Sequence, residues 1–314
     1  MRLPTSAFKL FKLISPLLFA GVFSACEEPV DPGFELRESR LVVSSTFFPD
    51  EIVKVRLSAT QPAGGELVLT DITDAAVVIL EGDEVVETLN YVSGGGSRFG
   101  TYQSTEFHPK TRRTYTLLAS KSGYLPFEAE SSIPQSVPIS DSRGEITRIS
   151  RTGPIDVYDF KMTINYDDPA LEENFYDIRI SQLVIPYYVN ATGDTVKQVA
   201  RAKVVESPGG TGEGRSVLGE TSILVRDRPM LNGMEIDLQS RIDPTKELLG
   251  QIVAELRTVS EAYYDFHISL RREGQALPIG VGDPRVNSIG NARTGVGVFA
   301  GYSRSEARFS LIQP

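Results

Sequence analysis

Side chains able to do chemistry are few in this chain. It holds one cysteine, Cys26, and two histidines, His108 and His267, in 314 residues. The histidines stand far apart, in different predicted domains and without a metal-ligand spacing. His267 falls beside the apolar side of a helical pattern, where a packed structural imidazole is expected. Oxygen ligands cluster at Asp167, Asp168, Glu172 and Glu173. They could hold calcium from a turn, but no glycine-centred calcium loop accompanies them, and acids are common in solvated turns. As a general-acid pair they would need burial to raise one pKa, which so polar a turn does not promise. Gly295-Val296-Gly297 lacks the third glycine and the strand-to-helix setting of a nucleotide loop, so it predicts a tight turn or close strand packing. Ser97 lacks the glycine two positions later that a nucleophile elbow requires. The expectation is a chain with no catalytic residue, no metal and no cofactor. Ile185-Pro186-Tyr187-Tyr188 and Tyr263-Tyr264 could offer contact area, although strand and helix margins use tyrosine in the same way.

The thiol remains. Arg2, Lys9 and Lys12 accompany an apolar run, Leu13 to Phe23, that is too short to cross a bilayer as a mature helix. The pattern over residues 1–25 predicts an export signal. Ser24 and Ala25 directly before Cys26 resemble the lipobox of bacterial lipoproteins, in which the thiol receives a diacylglycerol and the signal is cut just before it. Phe23 stands where most lipoboxes carry leucine. An ordinary secretory cut after Ala25 would want a small residue at that same position, so lipidation of Cys26 is the expected modification. An anchor there would consume the only thiol, leaving no disulfide framework and no cysteine metal site.

Removing residues 1–25 takes away three of 32 bases and none of 41 acids, which moves the net charge from -9 to 29 - 41 = -12. The basic clusters Lys110/Arg112/Arg113 and Arg271/Arg272 are short, and a nucleic-acid partner is not expected of so acidic a chain. Residues 26–39 are acidic, carry two prolines and a glycine, and show no period that could bury a face. They predict a tether with a mean reach of roughly 20 Å.

From Arg40 onward the texture is β. Leu41 to Val43, Ile52 to Leu57, Ala75 to Leu80, Glu84 to Leu89, Phe99 to Gln103, Tyr115 to Ser120 and Phe127 to Ser132 read as short strands at the spacing of an immunoglobulin-like sandwich, residues 40–133. The prolines of Ile133 to Pro138 break that rhythm and mark a domain boundary. A second β-rich domain, residues 138–314, is expected beyond them. Val157 to Tyr166 places Phe160, Met162 and Ile164 on one face. Phe175 to Ile185, Ser222 to Val225, Glu235 to Leu238, Ile252 to Leu256 and Ala307 to Ile312 are further strands. Ser207 to Gly219, with five glycines, predicts a mobile loop. One stretch is helical: Ser260 caps, Glu261 follows, and Tyr263, Phe266 and Leu270 share a face over 260–272.

Four stretches taken together resemble a known family. They are Leu41-Val42-Val43 with Val53 to Ser58; Tyr166-Asp167-Asp168-Pro169 with Asn174-Phe175-Tyr176; Ser260 to Phe266; and Asn287-Ser288-Ile289 with Gly295 to Tyr302. Their order is similar to that of the Bacteroidota lipoproteins grouped as domain of unknown function four-two-four-nine. Where that family tends to show an Asn-Ile pair, this chain has Asn287-Ser288-Ile289. The resemblance implies an outer-membrane lipoprotein, often encoded beside TonB-dependent receptors and so connected with uptake, and it implies no established activity. Glu27 and Glu28 also resemble the acidic signal that sends such lipoproteins to the cell surface. The expectation is therefore a non-catalytic, lipid-anchored accessory facing the cell exterior, with the membrane and a TonB-dependent receptor as partners. The alternatives are an adhesion or envelope-scaffolding lipoprotein and a carboxylate-based glycan hydrolase. The scarcity of histidine and the absence of tryptophan count against the hydrolase.

Overall fold

The structure is a computed structural model, and it describes residues 39–60, 71–95, 99–169, 172–207, 221–226, 233–275 and 290–312. Cys26 and the signal and tether stretches lie outside them, apart from Ser39. So do residues 208–219 of the glycine-rich loop and the Asn287-Ser288-Ile289 motif. Residues Glu38–Pro314 form one compact unit.

The chain is mainly β. In its first half the strands are β1 (Leu41–Phe47), β2 (Lys54–Ala59), β3 (Ala76–Glu81), β4 (Glu84–Thr88), β5 (Asn90–Val92), β6 (Thr101–Gln103), β7 (Thr114–Ser120) and β8 (Phe127–Ser132). Then come β9 (Ile139–Thr152), β10 (Ile155–Tyr166), β11 (Phe175–Val189), β12 (Thr195–Lys197), β13 (Arg201–Val204), β14 (Thr221–Arg226), β15 (Gly233–Ile242) and β16 (Glu247–Val259). A helix, α1 (Glu261–Gln275), precedes β17 (Ala292–Thr294), β18 (Val296–Phe309) and β19 (Leu311–Ile312).

The first half is a sandwich of two sheets. One face is β17-β8-β7-β3-β4; the other is the β1-β2-β6-β5 end of a sheet that continues through β18 and β16 to β11 and β12. Apolar residues at alternate strand positions fill the space between, among them Leu41, Val43, Val55, Leu57, Val77, Ile79, Leu117 and Phe127. A period of two puts every second side chain on this inner face.

The second half has its own apolar cluster. Phe160, Met162 and Ile164 of β10 pack with Ile178 and Ile180 of β11 and with Ile252 and Leu256 of β16. Phe299 apart, the first cluster runs to Ile133 and this one begins at Val137. Around the second cluster a smaller sheet, β15-β10-β9-β19, faces β11 and β16, and both margins are joined. At one margin β18 pairs with β16 and, one residue after it ends, β19 pairs with β9. At the other, Glu206 and Gln239 exchange two backbone hydrogen bonds of 2.9 and 2.7 Å. Joined margins leave few open edges, as in a flattened barrel.

Two differences from the sequence reading matter. Strand β9 was not expected, because most of its side chains are polar and few positions are buried, so it carries almost no periodic apolar signal. The last long strand begins at Val296, not near Ala307. Its first part pairs in parallel with β1, from Val42–Val296 to Phe47–Gly301, and Phe299 stacks on Phe47 with ring centroids 4.3 Å apart. The sandwich is therefore completed by residues from the far end of the chain. Glycines make that approach possible. A Cβ on Gly297, whose φ is +116°, would lie 1.9 Å from the Val43 carbonyl oxygen, and one on Gly301 would lie 2.4 Å from that of Ser132. Gly295-Val296-Gly297 thus serves close strand packing, one of its two sequence readings, and Gly301 extends it.

Gly297→Ala should lower stability by about 3 kcal/mol or more, since it combines an unfavourable φ with a backbone clash. Urea unfolding compared with Ala300→Gly, which removes a side chain from the same strand without adding one, measures it.

Candidate functional site

The functional-type side chains come together under α1. Strand alternation sends Tyr176, Ile178 and Ile180 of β11 inward, which leaves Asp177 and Arg179 on the opposite face. On the neighbouring strand Glu255 and Arg257 share that face, since Asp177 pairs with Arg257 and Arg179 with Glu255. Helix α1 is laid over it. The Ser260 N–H donates to the Gly301 carbonyl at 3.0 Å, and the Ser260 hydroxyl caps the first turn by accepting from the Tyr263 N–H at 3.4 Å. That start aims Tyr263 down at Asp177.

The Asp177 carboxylate is 1% exposed. It accepts from the Tyr263 hydroxyl at 2.7 Å, from Arg179 Nε at 2.9 Å and from the Ser222 hydroxyl of β14. The Tyr263 oxygen in turn accepts from Arg179 at 2.9 Å and from Arg257 at 3.4 Å. Arg271 of the helix donates to the Ser222 carbonyl at 2.6 Å and to its hydroxyl at 3.1 Å. Arg257 also pairs with Glu255, which accepts from Arg304 at 3.4 Å. Outward, arginines and aromatic rings alternate: the Arg257 guanidinium lies 4.6 Å from the Tyr302 ring centroid, Tyr302 lies 5.1 Å from Phe48, and Arg304 lies 4.7 Å from Phe48.

Electrostatics decide what this cluster can do. Burial alone would raise the Asp177 carboxyl, but the Arg179 charge and the hydrogen bonds from Ser222, Arg179 and Tyr263 outweigh it and hold the pKa below the ordinary value. Burial and the neighbouring Asp177 push the Tyr263 phenol up, so it donates and does not ionise. His267 lies one turn along, its ring 4.2 Å from that of Tyr263. Burial pushes its pKa down to about 4, opposed by Asp177 and assisted by Arg179, Arg271 and Arg257. An ionised acid, a neutral phenol, a neutral imidazole and fixed guanidinium groups face one another. Their bonds hold the helix onto the sheet.

The family described as "Domain of unknown function (DUF4249)" matches residues 27–308, nearly the whole chain. The chain belongs to this family. No curated protein matches it. Three of the stretches on which the resemblance was first read now have physical roles in this DUF4249 chain. Ser260 to Phe266 is the capped first turn carrying Tyr263. Gly295 to Tyr302 contains the part of β18, Val296 to Gly301, that meets β1. In the Asp167–Asn174 stretch, Asn174 donates to Asp168 at 3.3 Å and the Tyr176 hydroxyl also donates to Asp168, with the Tyr166 and Tyr176 rings 5.1 Å apart.

Asp168 is thereby used in fixing its own turn to β11, and Glu173 pairs with Arg226 at 2.6 Å. Among the described residues no group of three or more His, Cys, Asp or Glu side chains is arranged to hold a metal ion. His108 stands in the first half, apart from this cluster. Tyr187 donates to the Pro244 carbonyl at 2.5 Å, whereas Tyr188 is exposed. The sequence reading singled out Tyr263 and His267 but not Asp177, Arg179, Ser222, Glu255 or Arg257. A signal existed: Phe175-Tyr176-Asp177-Ile178-Arg179-Ile180 alternates apolar and charged residues, so one face of that strand had to be polar.

Asp177→Ala strands Tyr263 and part of the Arg179 guanidinium in a buried site and should cost about 3–5 kcal/mol in urea unfolding. Hydrogen exchange should rise first in α1.

The folded pKa of His267, about 4, lies below its ordinary 6.5. The unfolded chain therefore binds a proton in that window that the folded chain does not, and stability falls as the pH drops from 6.5 towards 4, by on the order of 3 kcal/mol from this group. His267→Gln should flatten that part of the pH–stability curve, read from urea midpoints at pH 7 and pH 4.5.

Proposed function

We propose that this protein is a lipid-anchored accessory of the outer membrane that binds a TonB-dependent receptor and serves uptake without catalysing a reaction itself. The observation that carries the reading is Cys26, set directly after Ser24 and Ala25 at the end of an apolar export signal and directly before an acidic tether. The body adds support of a second kind. Three of its perturbed titratable groups, Asp177, Tyr263 and His267, are engaged with one another and with arginines beneath α1. Perturbed pKa values mark active sites often, but structural ion-pair networks perturb them as well. Here the hydrogen bonds of Asp177 run to side chains of the protein's own sheet and helix, which is the structural pattern.

A mainly β body held by a lipidated cysteine suits association beside a membrane barrel, because the anchor would keep it near that surface. The sandwich of the first half also suits adhesion, and recovery experiments separate the two. With native processing, the protein should be recovered from gently solubilised outer membranes through a C-terminal tag together with a stoichiometric TonB-dependent barrel, identified by mass spectrometry. Recovery alone would count against the uptake reading and in favour of adhesion. Cys26→Ala should move the protein out of the membrane fraction or leave it as unprocessed precursor; normal membrane retention would overturn the anchor.

A further inference from the structure

At the end of β11 the chain turns back through Asn190 to Asp194 and returns along β11 as β12 and then β13. The end of β11 and this returning stretch combine two features. Large apolar side chains are exposed along it: Val199 is 89% exposed, Val189 61%, Tyr188 51% and Val204 50%. Their placement follows from the pairing. Between the pairs Tyr187–Lys197 and Val184–Arg201 the returning strand carries one more residue than β11, and Val199 lies in that bulge. The charge also differs, since Asp194 is the one acid between Tyr188 and Val204. Thr195 to Val204 contains three bases, Lys197, Arg201 and Lys203, and no acid, in a chain whose net charge is -9. Arg201 reaches Glu247 at 3.3 Å and Lys203 pairs with the same carboxylate, yet the Arg201 side chain stays 67% exposed; Lys246, on the adjoining turn, is 78% exposed and pairs with Asp243 at 2.9 Å. Tyr187 ties that turn to β11, its N–H donating to the Lys246 carbonyl at 2.8 Å.

Exposed valines and a tyrosine among long basic side chains match the boundary layer of a bilayer. There tyrosine brings an apolar ring with a wet tip, and lysine and arginine extend their heads to phosphate. A docking protein surface would not need the basic bias, whereas anionic headgroups do. Lipidation of Cys26, a short stretch of chain before Ser39, would keep such a surface near the body. We propose that the edge formed by the end of β11 with β12 and β13 lies against the anionic headgroups of the membrane that holds the anchor. The proposal rests on Cys26 being lipidated. It adds that the body is oriented on the membrane rather than free on its tether.

The chain contains no tryptophan, so Val199→Trp, at a position open to water, installs a single fluorescent reporter. The lipidated full chain carrying it is reconstituted in vesicles of phosphatidylethanolamine with phosphatidylglycerol and in vesicles of phosphatidylcholine alone. Ile149→Trp, 51% exposed on β9, serves as the control. In the anionic vesicles the Val199→Trp protein should emit at shorter wavelength and be quenched by brominated acyl chains. Neither effect should appear in phosphatidylcholine, nor with the Ile149→Trp protein in either lipid. Lys197→Glu in the Val199→Trp background should lower the docked fraction, a loss of roughly tenfold or more in the docked-to-free ratio. Val199→Trp protein that floats with the vesicles while its indole emission stays water-like overturns the proposal and leaves the anchor standing. Protein that does not float overturns both. A shift of equal size in both lipids, or one that appears only when a receptor barrel is co-reconstituted, also overturns it, the latter by assigning the edge to a protein.

Discussion

The structure depends on how closely β18 approaches its neighbours. For six successive pairs, from Val42–Val296 to Phe47–Gly301, it runs parallel to β1. From Val259–Tyr302 onward it pairs antiparallel with β16. Where one set of pairs gives way to the other, Gly301 lies against β8 with no room for a side chain. A single strand thereby belongs to both apolar clusters, giving Phe299 to the first and packing Phe309 against the second. Neither half of the body is complete without it. Parallel pairing is slightly weaker per residue than antiparallel, so the β1–β18 contact leans on the side chains it brings together, above all the Phe47–Phe299 stack.

The second organising interaction is polar. Asp177 sits on the outer face of the sheet, where a carboxylate would ordinarily be solvated, and α1 covers it. Covering a charge is costly unless every lone pair is answered. Tyr263, Arg179 and Ser222 answer it from a helix and two strands, so helix, β11 and β14 are specified together. The same arrangement explains why His267 is neutral: an imidazole packed against Tyr263, with three arginines nearby, has no incentive to take a proton near neutral pH.

Strands with alternate apolar positions were legible in the sequence, as were the helix with its serine cap and the inward face of Phe160, Met162 and Ile164. What was not legible has common causes. β9 is paired along its length but mostly wet, so backbone hydrogen bonding defines it while its side chains carry no period. The start of β18 is hidden by Gly295, Gly297 and Gly301, which read as loop punctuation because glycine is depleted in strands. Its parallel partner lies at the other end of the chain, and no local pattern reports that. Asp177 was passed over because a single acid in an apolar strand looks like surface until something is known to cover it.

The parallel union of the first strand and the last long one governs the order of events in folding. Val42 and Val296 lie almost a chain length apart, so this contact raises the contact order and closes a very large loop. A chain that emerges amino end first, from a ribosome or through a translocation channel, presents β1 to β16 before the strand that joins them exists. Until then β1 lacks its β18 neighbour, and the helix start lacks the Gly301 carbonyl that receives Ser260. Such a body stays incomplete, and therefore threadable, until its final residues arrive. In that interval its open strands present edges that other chains could pair with.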